Sequence, residues 1–352
     1  MKQIALKLID RSWKPFKLHT VFQIENCKCS KVSSLIDGNI PYVGATNRNN
    51  GVIRFVNGDK NLITKGNCIA FICDGEGSVG YSIYKNEDFI GSTTVKVGRN
   101  PKLNKYNGQF ITTIADTVRS KYNFGFKRNE KHLKNEILML PVNDKDEPDF
   151  DFMESFVKIK ETQKKEKYRK YLNERIELLK DFKPTETIEN KEWKEFTISD
   201  LFNNKIGKSI DGNKVNRTNG KVAYITRKES NNGLDGFINY DKNYLNKVFP
   251  VITIGNETAE PFVQNFEFFT GTKVNILKPK KEMSKFVLSF IATSLKQHKT
   301  KYSYSFTINS TRLKKQIILL PINDKKEPDF DYMENYMKQL ELKKINEYLK
   351  IN

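Results

Sequence analysis

Fifteen residues from Leu140 to Glu154 recur from Leu320 to Glu334, and only positions 142, 146 and 152 differ between the two stretches. The offset is 180 residues in a chain of 352. A repeat of that length means internal duplication, and duplication fixes the architecture before any other reading. More anchors share the offset. The segment from Trp13 to Phe22 matches Trp193 to Phe202, Lys121 to Phe126 matches Lys301 to Phe306, and Gly91 aligns with Gly271. Between the anchors the copies part company. Residues 40–90 and 220–270 share little beyond Tyr42 with Tyr224 and Asn49-Asn50-Gly51 with Asn231-Asn232-Gly233, and these need an offset of 182. One scaffold therefore occurs twice with two different middles.

Each copy spans about 150 residues before its connecting helix, enough to bury a core without staples. Lys and Arg number 61 against 42 Asp and Glu, a formal net charge of +19. Such an excess points to a polyanionic partner, nucleic acid or an anionic membrane. No apolar run approaches the roughly 20 residues of a spanning helix. The first ten residues are too short and too interrupted for a signal peptide. The expectation is a cytoplasmic protein that binds nucleic acid and no membrane. Cys27, Cys29, Cys68 and Cys73 all lie in the first copy, at spacings unlike a standard zinc site. They read as reduced, packed thiols. His19, His132 and His298 stand at neither ligand nor triad spacing from other candidates.

Along the chain, short strands are expected at Tyr42-Val43, 52–56, 68–72, 81–84 and 93–97, separated by turn formers at Asn49–Gly51, Asn57–Asp59 and Asp74–Gly77. Tyr106, Phe110, Ile111, Ile114 and Val118 then recur at helical spacing, as do Phe286, Phe290, Ile291 and Leu295. After the Glu-Pro-Asp-Phe signal each copy becomes strongly helical. Asp151 and Asp331 are the expected N-caps, with Glu154 and Glu334 completing capping boxes. The first long helix should run from Asp151 to Phe182, before Pro184, and the second from Tyr332 onward. Their apolar stripes favour packing of one on the other over separate docking on their own domains. The fold class is α+β. Two duplicated mixed domains, 1–147 and 185–327, are followed by helices at 148–184 and 328–352 that pair as an antiparallel coiled coil.

A search for catalytic chemistry returns nothing. There is no P-loop and no Asn/Asp-Pro-Pro-aromatic sequence. Gly75, Gly77 and Gly80 fit a bare dinucleotide pattern, but a strand follows instead of a helix, so they read as a turn. Nuclease-like fragments such as Pro148-Asp149 with Glu189 and Lys191 arise easily in a chain this rich in Lys and Glu. What remains is binding chemistry. Thr46, Asn47, Arg48 and Asn49 follow one strand and precede another, with Arg54 in the second. Arg227, Lys228 and Asn231 hold the equivalent place in the second copy. Arg and Lys reach guanine edges, and Asn bridges adenine N6 and N7. Asn50-Gly51 and Asn232-Gly233 are read as turn geometry. Lys121 and Tyr122, like Lys301 and Tyr302, are similar in both copies, so they read as phosphate-positioning contacts or scaffold. Glu76 or Glu257 could accept from cytosine N4, although an exposed acidic turn explains them more simply.

Two divergent domains, each closing on a repeated Leu-Pro segment and followed by a long helix, resemble the specificity subunits of type I restriction–modification systems. The form Pro141-Val142-Asn143-Asp144 through Glu147-Pro148-Asp149-Phe150 is similar to specificity subunits of the type IIB kind. The resemblance covers residues 13–352. It implies two target-recognition domains, helical spacers that pair and dock modification subunits, and a split asymmetric DNA target. It also implies no catalytic residues and no cofactor in this chain. The partner, a methyltransferase or fused nuclease–methyltransferase subunit, would methylate adenine with S-adenosylmethionine and use Mg²⁺. The competing class is a scaffold or decoy that binds such partners without directing DNA modification, and the charge excess argues against it.

Overall fold

The computed structural model describes residues 6–58, 60–123, 125–218 and 220–351. The start of the leader, Asp59 of the expected turn and Phe124 of the aromatic segment lie outside the described residues. The chain divides into two compact units, Met1–Tyr168 and Arg169–Asn352.

In the first unit, strand Trp13–Lys17 pairs antiparallel with Ile137–Pro141, so segments far apart in sequence close the unit together. A four-stranded sheet runs in the order Gln23–Asn26, Val95–Arg99, Cys68–Ile72, Ser82–Lys85. A second runs Val52–Val56, Asp37–Val43, Phe89–Gly91, Ile63–Thr64. The helix Lys105–Asp116 covers the first sheet. Strand Cys68–Ile72 shows the layering. Ile69 and Phe71 pack with Phe110 and Ile111 of the helix, while Cys68, Ala70 and Ile72 pack with Val43 and Phe89 of the second sheet. Alternate side chains point to opposite faces, and both faces are covered. Hence the strand reads as one unbroken apolar run.

The second unit repeats this plan. Trp193–Thr197 pairs with Ile317–Pro321, and Trp193↔Pro321 repeats Trp13↔Pro141. The sheets are Phe202–Ile206, Val274–Pro279, Val251–Gly255, Pro261–Gln264 and Leu234–Ile238, Val222–Ile225, Phe268–Thr270. Trp13 stacks on Phe110 at 6.0 Å and Trp193 on Phe290 at 6.1 Å.

The repeated fifteen residues are a turn and a cap. The Asn143 carboxamide oxygen accepts the N–H groups of Lys145 and Glu147 at 2.9 and 3.1 Å, and Asn323 does the same for Lys325 and Glu327 at 3.0 and 3.1 Å. The caps fall two residues earlier than expected. The long helices run Phe150–Leu179 and Phe330–Ile351. Asp149 accepts the Phe152 N–H at 2.9 Å, and Asp329 that of Tyr332 at 3.0 Å. The carboxylate directly after Pro148 or Pro328 is thus the N-cap. Asp151 and Asp331 lie within the first turn as exposed residues, while Glu154 binds Asn104 and Lys158 instead of the cap. Two strands also begin later than expected, at Ser82 and Val95. Ser92 and Thr94 bond to each other at 3.0 Å, holding 92–94 as a turn.

Within the second unit the two long helices meet. Leu172, Ile176 and Leu179 pack with Leu342, Ile345, Tyr348 and Leu349, at the three- and four-residue spacing of a helical seam. Arg175 grips Glu341 with two nitrogens, at 2.5 and 3.0 Å. The Lys183 N–H bonds Asn335, later in one segment and earlier in the other, so the helices run antiparallel.

All four cysteines are buried and free. Burial pushes the thiols of Cys27 and Cys73 up to about 11 and that of Cys68 to about 12. Among the described residues no group of His, Cys, Asp and Glu could hold a metal ion. No described helix is long and apolar enough to cross a membrane.

Candidate nucleic-acid interface

The two expected reading loops are one structure built twice. In the first unit, Asn49, Asn50 and Gly51 take positive φ of 49°, 53° and 76°. In the second, Asn231, Asn232 and Gly233 take 52°, 56° and 73°. Three successive left-handed residues suit Asn-Asn-Gly, since these types tolerate that conformation best. The Gly44 N–H donates to the Gly51 carbonyl at 3.1 Å, and that of Thr226 to Gly233 at 2.8 Å. The offset of 182 read from the sequence is therefore the structural one.

This geometry exposes Asn47, Arg48 and Asn49, with Thr46 half-buried. The Thr46 hydroxyl accepts the Arg48 N–H at 3.1 Å. Asn47 donates to the Gly77 carbonyl at 3.3 Å, which ties the loop to the turn after strand Cys68–Ile72. That turn carries the three glycines, with φ of 110°, 69° and 93° at Gly75, Gly77 and Gly80. A Cβ at Gly80 would lie 2.8 Å from Arg119 Cγ and 3.1 Å from its Cα, so the turn rests directly on the next segment. Asp74 completes the junction with Lys127 at 2.7 Å, and this bond holds its carboxyl below the ordinary range. Loop 46–50, turn 74–80 and segments 119–123 and 125–127 thus form one surface.

Other expected contacts fall differently. Arg54 is half-buried, and its guanidinium donates to the carbonyls of Val32 and Leu35, so it braces a turn. Lys121 is exposed beside Tyr122. The Tyr122 hydroxyl donates to Glu136 at 2.7 Å and its ring stacks on Phe126. Tyr302 likewise donates to Gln316 at 2.7 Å and stacks on Phe306, with Lys301 exposed alongside. Both tyrosines thus anchor the segments that carry the lysines.

The second unit assembles the equivalent surface with charges. Arg227 pairs with Glu257 at 2.6 Å, Lys228 with Asp235 at 2.5 Å, and Lys299 with Glu229 and Glu260 at 2.8 and 2.7 Å. Asn231 is exposed at the tip. Burial works to raise the Glu257 carboxyl, but Arg227 and Lys273 outweigh it and hold it below the usual range. Glu257 is accordingly not an exposed acid awaiting cytosine, whereas Glu76 in the first unit is exposed. Lys127, Lys273 and Lys299 belong to these surfaces although the sequence did not mark them. Their partners lie 16 to 70 residues away, beyond any local pattern. The turns also differ in length, spanning 73–81 in one unit and 256–260 in the other.

A family profile described as the type I restriction modification DNA specificity domain matches residues 10–168 and again 190–352. The chain belongs to this DNA specificity family. As a member with two specificity domains, it carries its divergent loops on a scaffold seen twice. It is 52% identical over 146 residues to the type II restriction enzyme BgcI specificity subunit of Heyndrickxia coagulans. That match covers 41% of this chain and 42% of the relative, so the chain spans less than half of the curated relative it matches. Its fold is similar to the type I restriction–modification S subunit from M. genitalium, with a TM-score of 0.56 at 14% identity over 98% of this chain and 94% of that one.

Proposed function

We propose that this chain is a non-catalytic DNA specificity subunit that reads a bipartite, asymmetric duplex target, one half with each unit. One observation carries the reading. The same left-handed Asn-Asn-Gly loop stands at the same place in both units, but the four residues before it are Ala45, Thr46, Asn47 and Arg48 in one and Arg227, Lys228, Glu229 and Ser230 in the other. A shared scaffold with unlike base-facing groups is what two unlike half-sites require. The net charge of +19 suits a phosphate backbone. Residues 1–147 and 185–327 act as target-recognition domains, and 148–184 and 328–352 as spacer helices. Thr46, Asn47, Arg48, Asn49, Arg227, Lys228 and Asn231 face the bases. Lys121 and Lys301 meet phosphates, positioned by Tyr122 and Tyr302, while Arg54 braces the turn at Val32 and Leu35. Methyltransferase or fused nuclease–methyltransferase subunits dock on the chain in the cytoplasm and bring S-adenosylmethionine and Mg²⁺ chemistry with them. Methylation mapping in a host carrying this gene and its neighbours should return a split motif. Exchanging residues 30–120 for those of another specificity subunit should change one half only. A change in both halves, or in neither, would sink the reading.

A further inference from the structure

The ion pair between Arg227 and Glu257 joins the reading loop of the second unit to its neighbouring turn. The loop backbone lies hard against that turn, since a Cβ at Gly255 would sit 2.9 Å from both Cα and Cβ of Arg227. Glu257 is itself fixed. Its side chain is 12% exposed, and Oε1 lies 2.6 Å from Arg227 Nη1 in an ion pair and accepts from Lys273 Nζ at 3.1 Å. Arg227 is 39% exposed, and its remaining N–H groups have no hydrogen-bond partner among the described residues. The guanidinium is a planar fork. With Nη1 held by the carboxylate, the edge formed by Nε and Nη2 is left as two parallel donors.

Two features separate this arginine from an ordinary phosphate contact. The adjacent carboxylate offsets its charge, which weakens a nonspecific pull on phosphate but leaves its directional donors intact. It is also pre-oriented, so less side-chain freedom is lost on contact. Of the four bases, guanine alone shows two acceptors, O6 and N7, side by side in the major groove. The first unit lacks this arrangement. Arg48 has no carboxylate partner among the described residues, and Asp74 holds Lys127 instead.

Resting on the specificity reading above, we propose that Glu257 is a positioning residue for base readout: it holds Arg227 so that the free guanidinium edge specifies a guanine in the half-site of the second unit. Lys273 steadies Glu257 and touches no base.

The test uses the complete complex with its methyltransferase subunits, bound to a duplex library with both half-sites randomised. Wild type should show a guanine at one position of one half-site. R227A and R227K should lose that preference by on the order of 10- to 100-fold, the share of one bidentate contact, with every other position unchanged. E257Q should weaken preference at the same position, with a smaller loss. Thermal melting of each variant separates unfolding from lost readout. The inference is overturned if R227K keeps every preference while R227A weakens all sequences alike, because Arg227 then meets a phosphate. It is overturned equally if E257Q keeps full preference at that position, or if the half-site contains no guanine. A wild-type complex without any split motif would instead defeat the specificity reading itself.

Discussion

Arg128 and Glu136 form an ion pair buried in the first unit, at 0% and 2% side-chain exposure. Arg128 donates Nε to Glu136 at 2.9 Å and Nη2 to the same carboxylate, while Nη1 reaches the carbonyls of Gly80 and Tyr81 and the Ser82 hydroxyl. At the equivalent places the second unit has Ile308, which is buried, and Gln316, which still accepts from Tyr302. One scaffold therefore tolerates both a charged and a neutral solution at the same spot. Breaking a buried pair leaves an uncompensated charge and costs about 3–5 kcal/mol, whereas replacing both partners is often near neutral. Arg128→Ile and Glu136→Gln should each destabilise the first unit strongly. The double variant, which reproduces the pair found in the second unit, should be clearly more stable than Arg128→Ile alone. It should stop short of full recovery, because the Gly80 and Tyr81 carbonyls lose a donor. Calorimetric melting of the three variants checks the coupling, and additive losses would refute it. None of this was readable beforehand, since the sequence marks neither residue as buried.

The elements were legible where the signal is local. Strands Val52–Val56 and Cys68–Ile72 came out with their expected bounds, because apolar periodicity and flanking turn formers agree there. The helix caps did not, because capping-box spacing fits Asp151 with Glu154 as well as any true cap. Pro148 decides the matter by ending the preceding segment, so Asp149 is the first residue free to bond the helix N-terminus. Asp149 also pairs with Arg11 at 2.8 Å. Asp149→Ala should therefore cost about 1 kcal/mol or somewhat more, and Asp151→Ala less than about 0.5 kcal/mol. For a unit of this size the first change lowers the melting temperature by about 2–4 °C. Equal effects of the two substitutions would contradict the assignment. The reading loops were legible in part. Asn-Asn-Gly announced the left-handed turn, but the carboxylate that holds Arg227 is Glu257, from a turn far along the chain, while Asp235, beside Lys228, lies in the next strand.

At the scale of the whole molecule, duplication was legible at once, because a fifteen-residue repeat survives any divergence between its flanks. On the proposed two-half reading, the helix between the copies is expected to set the spacing of the half-sites. The helix Phe150–Leu179 has 30 residues, which at 1.5 Å each gives about 45 Å. One duplex turn is about 34–36 Å. The expected stop near Phe182 lay slightly too far along, since Lys180 and Asp181 already form a turn before Pro184. Residues 158–170 are mostly exposed and contribute little to either core, so they can be shortened without emptying one. Removing four of them shortens the helix by about 6 Å and turns its far end by about 40°, since four residues slightly exceed the 3.6 of one turn. At about 3.4 Å per base pair, the loss corresponds to nearly two base pairs. The deletion should either shorten the preferred gap by that amount or abolish binding, while the bases read in each half stay the same. Deleting three residues, which turns the end the opposite way by about 60°, should give a different outcome. Methylation mapping of both variants decides, and full activity of both at the original gap would mean that this helix is not the ruler.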